Sequence, residues 1–187
     1  MKSSRAKVLH EIAGRSLIAH VLHAVSSLNP RETRVVVGAS KDEVIAHLSS
    51  IAPHARSVFQ EVRGGTGHAV KLALQDYSSD GVAIVCAGDT PLLTGATLAK
   101  LLAAHSNAQA SATVLTAELP DPSGYGRVIR NPDGSLSRIV EEKDATEQEK
   151  KTLEINSGVY IFELASLRSA LTKLSANNAQ KEEYLTD

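Results

Sequence analysis

A single cysteine, Cys86, is present in 187 residues, so no disulfide can form within the chain. A reducing compartment fits that usage, and a cytoplasmic location is expected. Cys86 lies in the apolar run VAIVCAG and reads as a buried, inert residue. Long hydrophobic runs are also missing. No window approaches the roughly 18 apolar residues of a membrane-spanning helix, so no membrane partner is expected. The opening MKSSRAKVLHEIAG carries charges but no apolar core, unlike a secretory signal. Nor is there an excess of one charge: 20 Lys and Arg face 21 Asp and Glu, a formal net charge of −1. That balance argues against nucleic acid or an anionic membrane surface as a partner. The seven histidines form no ligand-spaced cluster. His20 and His23 share a helix face with no cysteine or carboxylate beside them, which argues against zinc. No Ser-His-Asp or Cys-His arrangement stands out. No repeat, low-complexity segment or long linker is visible.

What is there is an ordinary globular composition, 42% apolar and 22% charged, in a length suited to one domain or slightly more. Residues 16–29 place Leu17, Ile18, Val21, Leu22, Val25 and Leu28 on one face, which predicts a helix ended by Pro30. TRVVVGA predicts a buried strand. SKDEVIAHLSS predicts a helix with Ser40 and Glu43 in capping-box spacing. RSVFQ, VAIVCAGD and ASATVLTAEL predict strands, and residues 67–77 and TLAKLLAAHS predict helices. Strands alternating with helices of about ten residues indicate an α/β fold: a doubly wound, mostly parallel, Rossmann-like sheet. After residue 120 the pattern changes. Two strand-like runs flank NPDG, a strong turn signal. DATEQEKKT is polar and helix-prone, INSGVYIFEL predicts a strand, and ASLRSALTKL a helix. The second part, about 121–187, therefore reads as a smaller antiparallel lobe beside a parallel part of about 1–120. The chain goes directly from MKSSRAKVLHEIAGRSL into its first predicted helix, without the opening strand and βα turn of a doubly wound sheet.

Several stretches have residues suited to ligand chemistry, each with a plainer alternative. GGTGH, between strand and helix, either makes a tight connection capped by Thr66 or lets a nucleotide approach free helix N–H groups. Asp89 in AGDTPLL either caps a turn before Pro91 or holds Mg²⁺ against phosphate oxygens at the sheet edge, with Gly88 admitting a sugar. DPSGYGRV is a turn into a hairpin or a ligand loop. Glu141 and Glu142 are solvated acids at a strand end or substrate contacts. Asn156 in EINSGVYIF is a turn residue or an amide that reads sugar hydroxyls. Lys7 is a surface charge or a phosphate contact.

The order of these stretches is more telling than any one of them. KVLHEIAGRSLIAHVL, GGTGHAV, AGDTPLL, DPSGYGRV, IVEEKDAT, EINSGVYIF and NNAQKEEYLTD together resemble the sugar-nucleotide pyrophosphorylases. The resemblance is to the uridylyltransferase domain of the bifunctional N-acetylglucosamine-1-phosphate uridylyltransferases and glucosamine-1-phosphate acetyltransferases, and it covers the whole chain. It implies formation of UDP-N-acetylglucosamine, a cell-wall and lipopolysaccharide precursor, and pyrophosphate from UTP and N-acetylglucosamine 1-phosphate, with Mg²⁺. By motif, Lys7 would contact phosphate, Gln60 would read the uracil edge, and Gly65 and Thr66 would line the base pocket. Ala87 and Gly88 would pack at the ribose, and Asp89 would bind the metal. Gly126, Glu141 and Asn156 would hold the sugar, with Tyr184 and Thr186 bordering it. Lys7 and Asp89 are then the catalytic pair.

The family also opens with a strand and a glycine-rich loop ending in Gly-Thr-Arg-Met, and Met1 stands at that Met. The rest of the nucleotidyltransferase domain and the β-helix acetyltransferase domain, which makes these proteins trimers, are expected beyond Asp187. The resemblance thus implies a fragment with little turnover and no trimer of its own. Two rivals are a transferase for another sugar or base and a non-catalytic nucleotide-sugar binding module.

Overall fold

The computed structural model describes residues 5–187. Near their start, Ala13 and Gly14 take positive φ values of 51° and 74°. Two successive left-handed residues make a turn that matches the twist of paired strands. Glu11–Ile12 (β1) and Arg15–Ser16 (β2) accordingly form a short antiparallel hairpin. A 3-10 turn, Lys7–Leu9, precedes it. Turn and hairpin thus stand before the first helix, where the sequence predicted neither. Ser16 then caps α1, Leu17–Ser26, its hydroxyl accepting the Ala19 N–H at 3.2 Å.

The chain divides into two compact units, each drawn from separate stretches. The first comprises the residues up to 63, 72–79 and 86–110. In it β3, Arg34–Val37, and β4, Arg56–Phe59, pair in parallel, with α2, Lys41–Ile51, as the crossover. Ser40 does not build the predicted capping box. Its hydroxyl makes no cap bond, because its backbone (φ −98°, ψ 33°) lies outside the extended region that aims a cap side chain back at the helix. Asp42 and Glu43 still place negative charge in the first turn, where the helix dipole favours it. Leu9, Ile18, Val37, Val44 and Leu48 form the buried core. Helix α1 buries Leu17, Ile18, Val21 and Ala24, while Leu22, Val25 and Leu28 are half-buried. Helix α4, Gly95–Ala108, is capped by Thr94 and approaches α1 closely at Gly95.

The second unit comprises residues 64–71, 80–85 and 111–187. Its sheet holds β5 (Val82–Val85), β6 (Ala112–Glu118), β7 (Arg127–Arg130), β8 (Leu136–Val140) and β9 (Glu154–Glu163), all paired antiparallel. The ten-residue β9 is the hub: residues 160–162 pair with β5 on one edge and β6 on the other. The predicted β7–β8 hairpin turns at Gly134, whose N–H donates to the Asn131 carbonyl at 2.9 Å. The polar DATEQEKKT stretch makes a 3-10 turn at Glu149–Lys151 instead of a longer helix. Helix α5, Leu164–Leu171, is capped by the Glu163 carboxylate, which accepts from Ala165 and Ser166 N–H. It buries Leu164, Leu167 and Leu171. Helix α3, Thr66–Leu74, starts at the glycine loop.

The α/β class therefore holds, with mixed sheets: parallel at β3–β4 and antiparallel around β9. The apolar run VAIV forms β5 as predicted, and its neighbour is the antiparallel β9. Among the described residues, no helix is long and apolar enough to cross a membrane.

The α1–α4 contact makes a prediction against helix propensity. Alanine favours a helix over glycine by about 1 kcal/mol. A Cβ at Gly95, however, would stand 2.0 Å from Ser27 Oγ and 2.9 Å from Ser27 Cβ. Gly95→Ala should therefore destabilise the protein by about 1–3 kcal/mol, as overpacking does, seen as a lower urea midpoint. An unchanged or higher midpoint would contradict this packing.

Candidate active site

In the first unit, the loop after β5 and the 3-10 turn bring two opposite charges together. Lys7 Nζ lies 2.5 Å from Asp89 Oδ2, with the side chains 63% and 27% exposed. A pair this open to solvent adds little to stability. What it does is hold a mobile cation against a carboxylate at a strand's carboxyl end. The Asp89 loop is shaped by the Thr90 hydroxyl, which donates to the Ala87 carbonyl at 3.0 Å, and by the Leu93 N–H bonded to the Thr90 carbonyl. A Cβ at Gly88 would meet Val8 Cγ1 at 3.5 Å and Ile18 Cδ1 at 3.8 Å, which is ordinary contact. The fold itself thus tolerates a side chain there. Gln60, half-buried just past β4, donates its N–H to the Val37 carbonyl at 2.8 Å. Burial pushes the Cys86 thiol up to about 11. At neutral pH it stays protonated and unreactive.

Among the described residues, no three His, Cys, Asp or Glu side chains gather into a metal cage. A lone carboxylate beside a lysine suits a cation that takes most of its ligands from phosphate and water, which is the habit of Mg²⁺. By donor chemistry, Asp89 fits such an ion.

In the second unit, the glycine loop meets the C-terminal segment of the chain. Glu183 N–H donates to the Gly64 carbonyl at 2.7 Å, and Gly67 N–H to the Glu183 carbonyl at 2.8 Å. Leu185 N–H donates to the Thr66 hydroxyl at 2.9 Å. Gly65 has φ +98°, and a Cβ there would lie 2.4 Å from the Glu183 carbonyl oxygen. At Gly67 it would lie 2.3 Å from Leu174 Cδ1. Both positions therefore demand glycine, and the atoms that demand it belong to this chain.

A second cluster in this unit joins β7, β8 and β9. Asn156 N–H donates to the Gly126 carbonyl at 2.9 Å. The Asn156 amide oxygen accepts from Gly158 N–H at 3.1 Å, and its NH₂ donates to the Tyr160 hydroxyl at 2.5 Å. The amide is thereby fixed, with one N–H and one lone pair left for another partner. Burial pushes the Tyr160 hydroxyl up to about 12, which keeps it neutral. A Cβ at Gly126 would meet Glu141 Oε2 at 3.3 Å and Asn156 Cβ at 3.4 Å. Glu141 accepts the Thr186 hydroxyl at 3.1 Å. Tyr184 is buried. Gly126, Glu141, Asn156 and Thr186 are thus neighbours.

Three charged residues not singled out from the sequence support these groups. Arg127, its side chain only 2% exposed, pairs with Glu142 at 2.8 Å and donates to the Tyr125 carbonyl. Glu142 also accepts from Gly124 N–H at 3.2 Å, so this buried pair holds the SGYG loop. Lys71 Nζ lies 2.7 Å from Glu183 Oε1 across 112 residues of chain. Nothing local in the sequence signals that pairing.

A family model described as the MobA-like NTP transferase domain matches residues 1–151. Over its whole length the chain is 51% identical to the bifunctional protein GlmU of Thermobifida fusca. It is 50% identical to the bifunctional protein GlmU of Streptomyces coelicolor. It spans 40% and 39% of the length of these relatives. Among solved structures, HddC from Yersinia pseudotuberculosis superposes with a TM-score of 0.72 over all of this chain and 76% of that one. HddC complexed with GMP-PN gives 0.69, over all of this chain and 77% of that one. At 18% identity these likenesses speak to the fold alone.

Glu141 supplies a pH prediction. Burial raises its carboxyl above the usual range, the Thr186 hydroxyl opposes this, and Asp144 and Asp187 add to it. A folded value above the unfolded one means that the contribution is fully present below the unfolded value. It is lost as pH rises through the folded value. Glu141→Gln should therefore melt higher than the parent at pH 7, with the gap closing by about pH 4. Paired melting curves across that range check it; a gap that does not vary with pH would contradict the burial argument.

Proposed function

Since the chain belongs to the MobA-like NTP transferase family, we propose that it supplies nucleotidyl-transfer residues for making UDP-N-acetylglucosamine and pyrophosphate from UTP and N-acetylglucosamine 1-phosphate. The observation that carries this reading is the Lys7–Asp89 pair at 2.5 Å, an acid set after an apolar strand and met by a cation from the 3-10 turn. The 48–51% identity to bifunctional GlmU proteins supports the choice of substrates. Residues of about 1–120 serve the nucleotide and those of about 121–187 the sugar. These substrates imply a cytoplasmic setting. A trimer is expected only where the acetyltransferase domain accompanies this part.

Lys7 holds phosphate charge, Gln60 reads the base edge, and Gly65 and Thr66 line the base pocket. Ala87 and Gly88 leave room at the ribose. Asp89 holds Mg²⁺, which when bound neutralises phosphate charge and orients the triphosphate. Gly126, Glu141 and Asn156 orient the sugar, with Tyr184 and Thr186 at its border. The attacking group is the phosphate oxygen of the sugar phosphate itself. It bonds to the α-phosphorus as the link from that phosphorus to its bridging oxygen breaks, and pyrophosphate departs with that oxygen. No protein nucleophile is needed, so the residues contribute positioning and charge. A set of glycines, one metal carboxylate, one lysine and fixed amides suits that task.

Calorimetric titration of the 187-residue chain with UDP-N-acetylglucosamine, run beside a turnover assay, tests the reading. Binding is expected, strengthened by Mg²⁺. Any turnover should favour UTP over dTTP and CTP and should fall at least about a hundredfold in Asp89→Ala, the scale of a lost metal contact. Binding without turnover would make the chain a nucleotide-sugar binding module. The absence of both would overturn the proposal.

A further inference from the structure

We propose that residues 178–186 form a strap coupling the glycine loop, 64–67, to the acidic turn, 141–144, with Lys71 and Glu183 as its positioning residues. This rests on the reading that the loop takes the nucleotide and the turn borders the sugar. It adds that the two binding events are linked through one segment of chain.

At one end the strap is tied to the loop by main chain. Glu183 bonds Gly64 and Gly67 in both directions, at 2.7 and 2.8 Å, and Leu185 N–H reaches the Thr66 hydroxyl at 2.9 Å. At the other end it is tied to the turn. Ala179 N–H donates to Asp144 Oδ1 at 2.8 Å, Thr186 hydroxyl to Glu141 Oε1 at 3.1 Å, and Lys143 bonds the Gln180 side chain. Asn178 braces the span between them. Its NH₂ donates to the Glu182 carbonyl at 2.6 Å, and its amide oxygen accepts the Glu182 N–H at 3.2 Å.

The strap has no helix or strand of its own after α5, so these bonds are what order it. A ligand that orders one end has already met part of the ordering cost at the other. That is coupling through a shared segment, and it is reciprocal. The Lys71–Glu183 pair is the side-chain link that can be cut without touching a proposed ligand contact. Its two side chains are 30% and 27% exposed, so replacing either leaves the core intact.

Hydrogen exchange on the 187-residue chain tests the strap without a ligand. Lys71→Met and Glu183→Gln should each speed exchange several-fold in 178–187, in 64–69 and also in 139–146. The charge-swapped double variant, Lys71→Glu with Glu183→Lys, should restore slow exchange in all three. Faster exchange confined to 178–187, or no recovery in the double variant, would overturn the proposal. The linkage arm measures affinity for N-acetylglucosamine 1-phosphate with and without UTP, in EDTA to block chemistry. The parent should show a factor of about 5 or more, the usual scale of coupling between sites, and both single variants a factor near 1. Equal factors in parent and variants would overturn the strap. A parent that binds neither ligand defeats the functional reading and the linkage with it, while the exchange arm still decides whether the strap ties loop to turn.

Discussion

The carbonyl oxygen of Glu183 occupies the space that a side chain at residue 65 would need. That contact dictates the glycine at 65, whose backbone is left-handed. A loop built this way cannot relax toward an ordinary turn, because the strap fills the volume it would use. Three backbone N–H groups, those of Gly67, Glu183 and Leu185, are consumed in the arrangement. They are therefore not available to phosphate. The charges of Lys7 and Asp89, by contrast, are not locked by main chain. Division of labour follows from hydrogen-bond accounting: bonded N–H groups give shape, and unfixed charges give electrostatics.

Adjacent glutamates show how little sequence separates two different environments. Glu142 pairs with the buried Arg127 and holds Gly124. Glu141, one residue earlier, lies against Gly126 and Thr186. In a strand, successive side chains point to opposite faces, and the end of β8 keeps enough of that alternation to send one acid each way. The pairing also explains the unusual arginine. A guanidinium that is only 2% exposed needs compensation at short range. Glu142 and the Tyr125 carbonyl supply it. The SGYG loop is thus held by charge at the Tyr125 carbonyl and the Gly124 N–H.

Much of this was legible in the sequence, and the failures have physical causes. Alternation of apolar runs gave the elements, because burial of β9, α1 and α5 is what holds them. VAIV announced a strand but not the direction of its neighbour, since a short apolar run reads the same whichever way its partner runs. Ser40 and Glu43 had the spacing of a capping box, but spacing does not set φ and ψ, and Ser40 sits outside the extended region. The polar stretch 144–152 gained only a 3-10 turn, because Thr146 and Arg138 hold Glu149 locally and no apolar stripe is there to bury. Glycines at 64, 65 and 67 signalled that something comes close. At 64 it is the His68 side chain, four residues on; at 65 and 67 it lies more than a hundred residues away, at Glu183 and Leu174, and no local pattern encodes it.

The two sets of residues differ in how they meet solvent, and this bears on how each can act. Lys7 is largely open and Asp89 half-buried, so their field is partly screened by salt and water and is strongest on a charged group brought close to them. Tyr160 is buried and Asn156 and Glu141 are half-buried, with their polar atoms already directed by neighbours. Such groups recognise shape and hydroxyl pattern with little reorganisation, because the cost of orienting them was met when β9 folded. A triphosphate carries charge that tolerates loose, mobile partners. A sugar is neutral and is distinguished by where its hydroxyls point, so it needs fixed ones. The ion pair and the amide network therefore differ in kind, one offering movable charge and the other fixed hydrogen-bonding groups. The fold sets Lys7 in a short 3-10 turn and Asn156 in its longest strand.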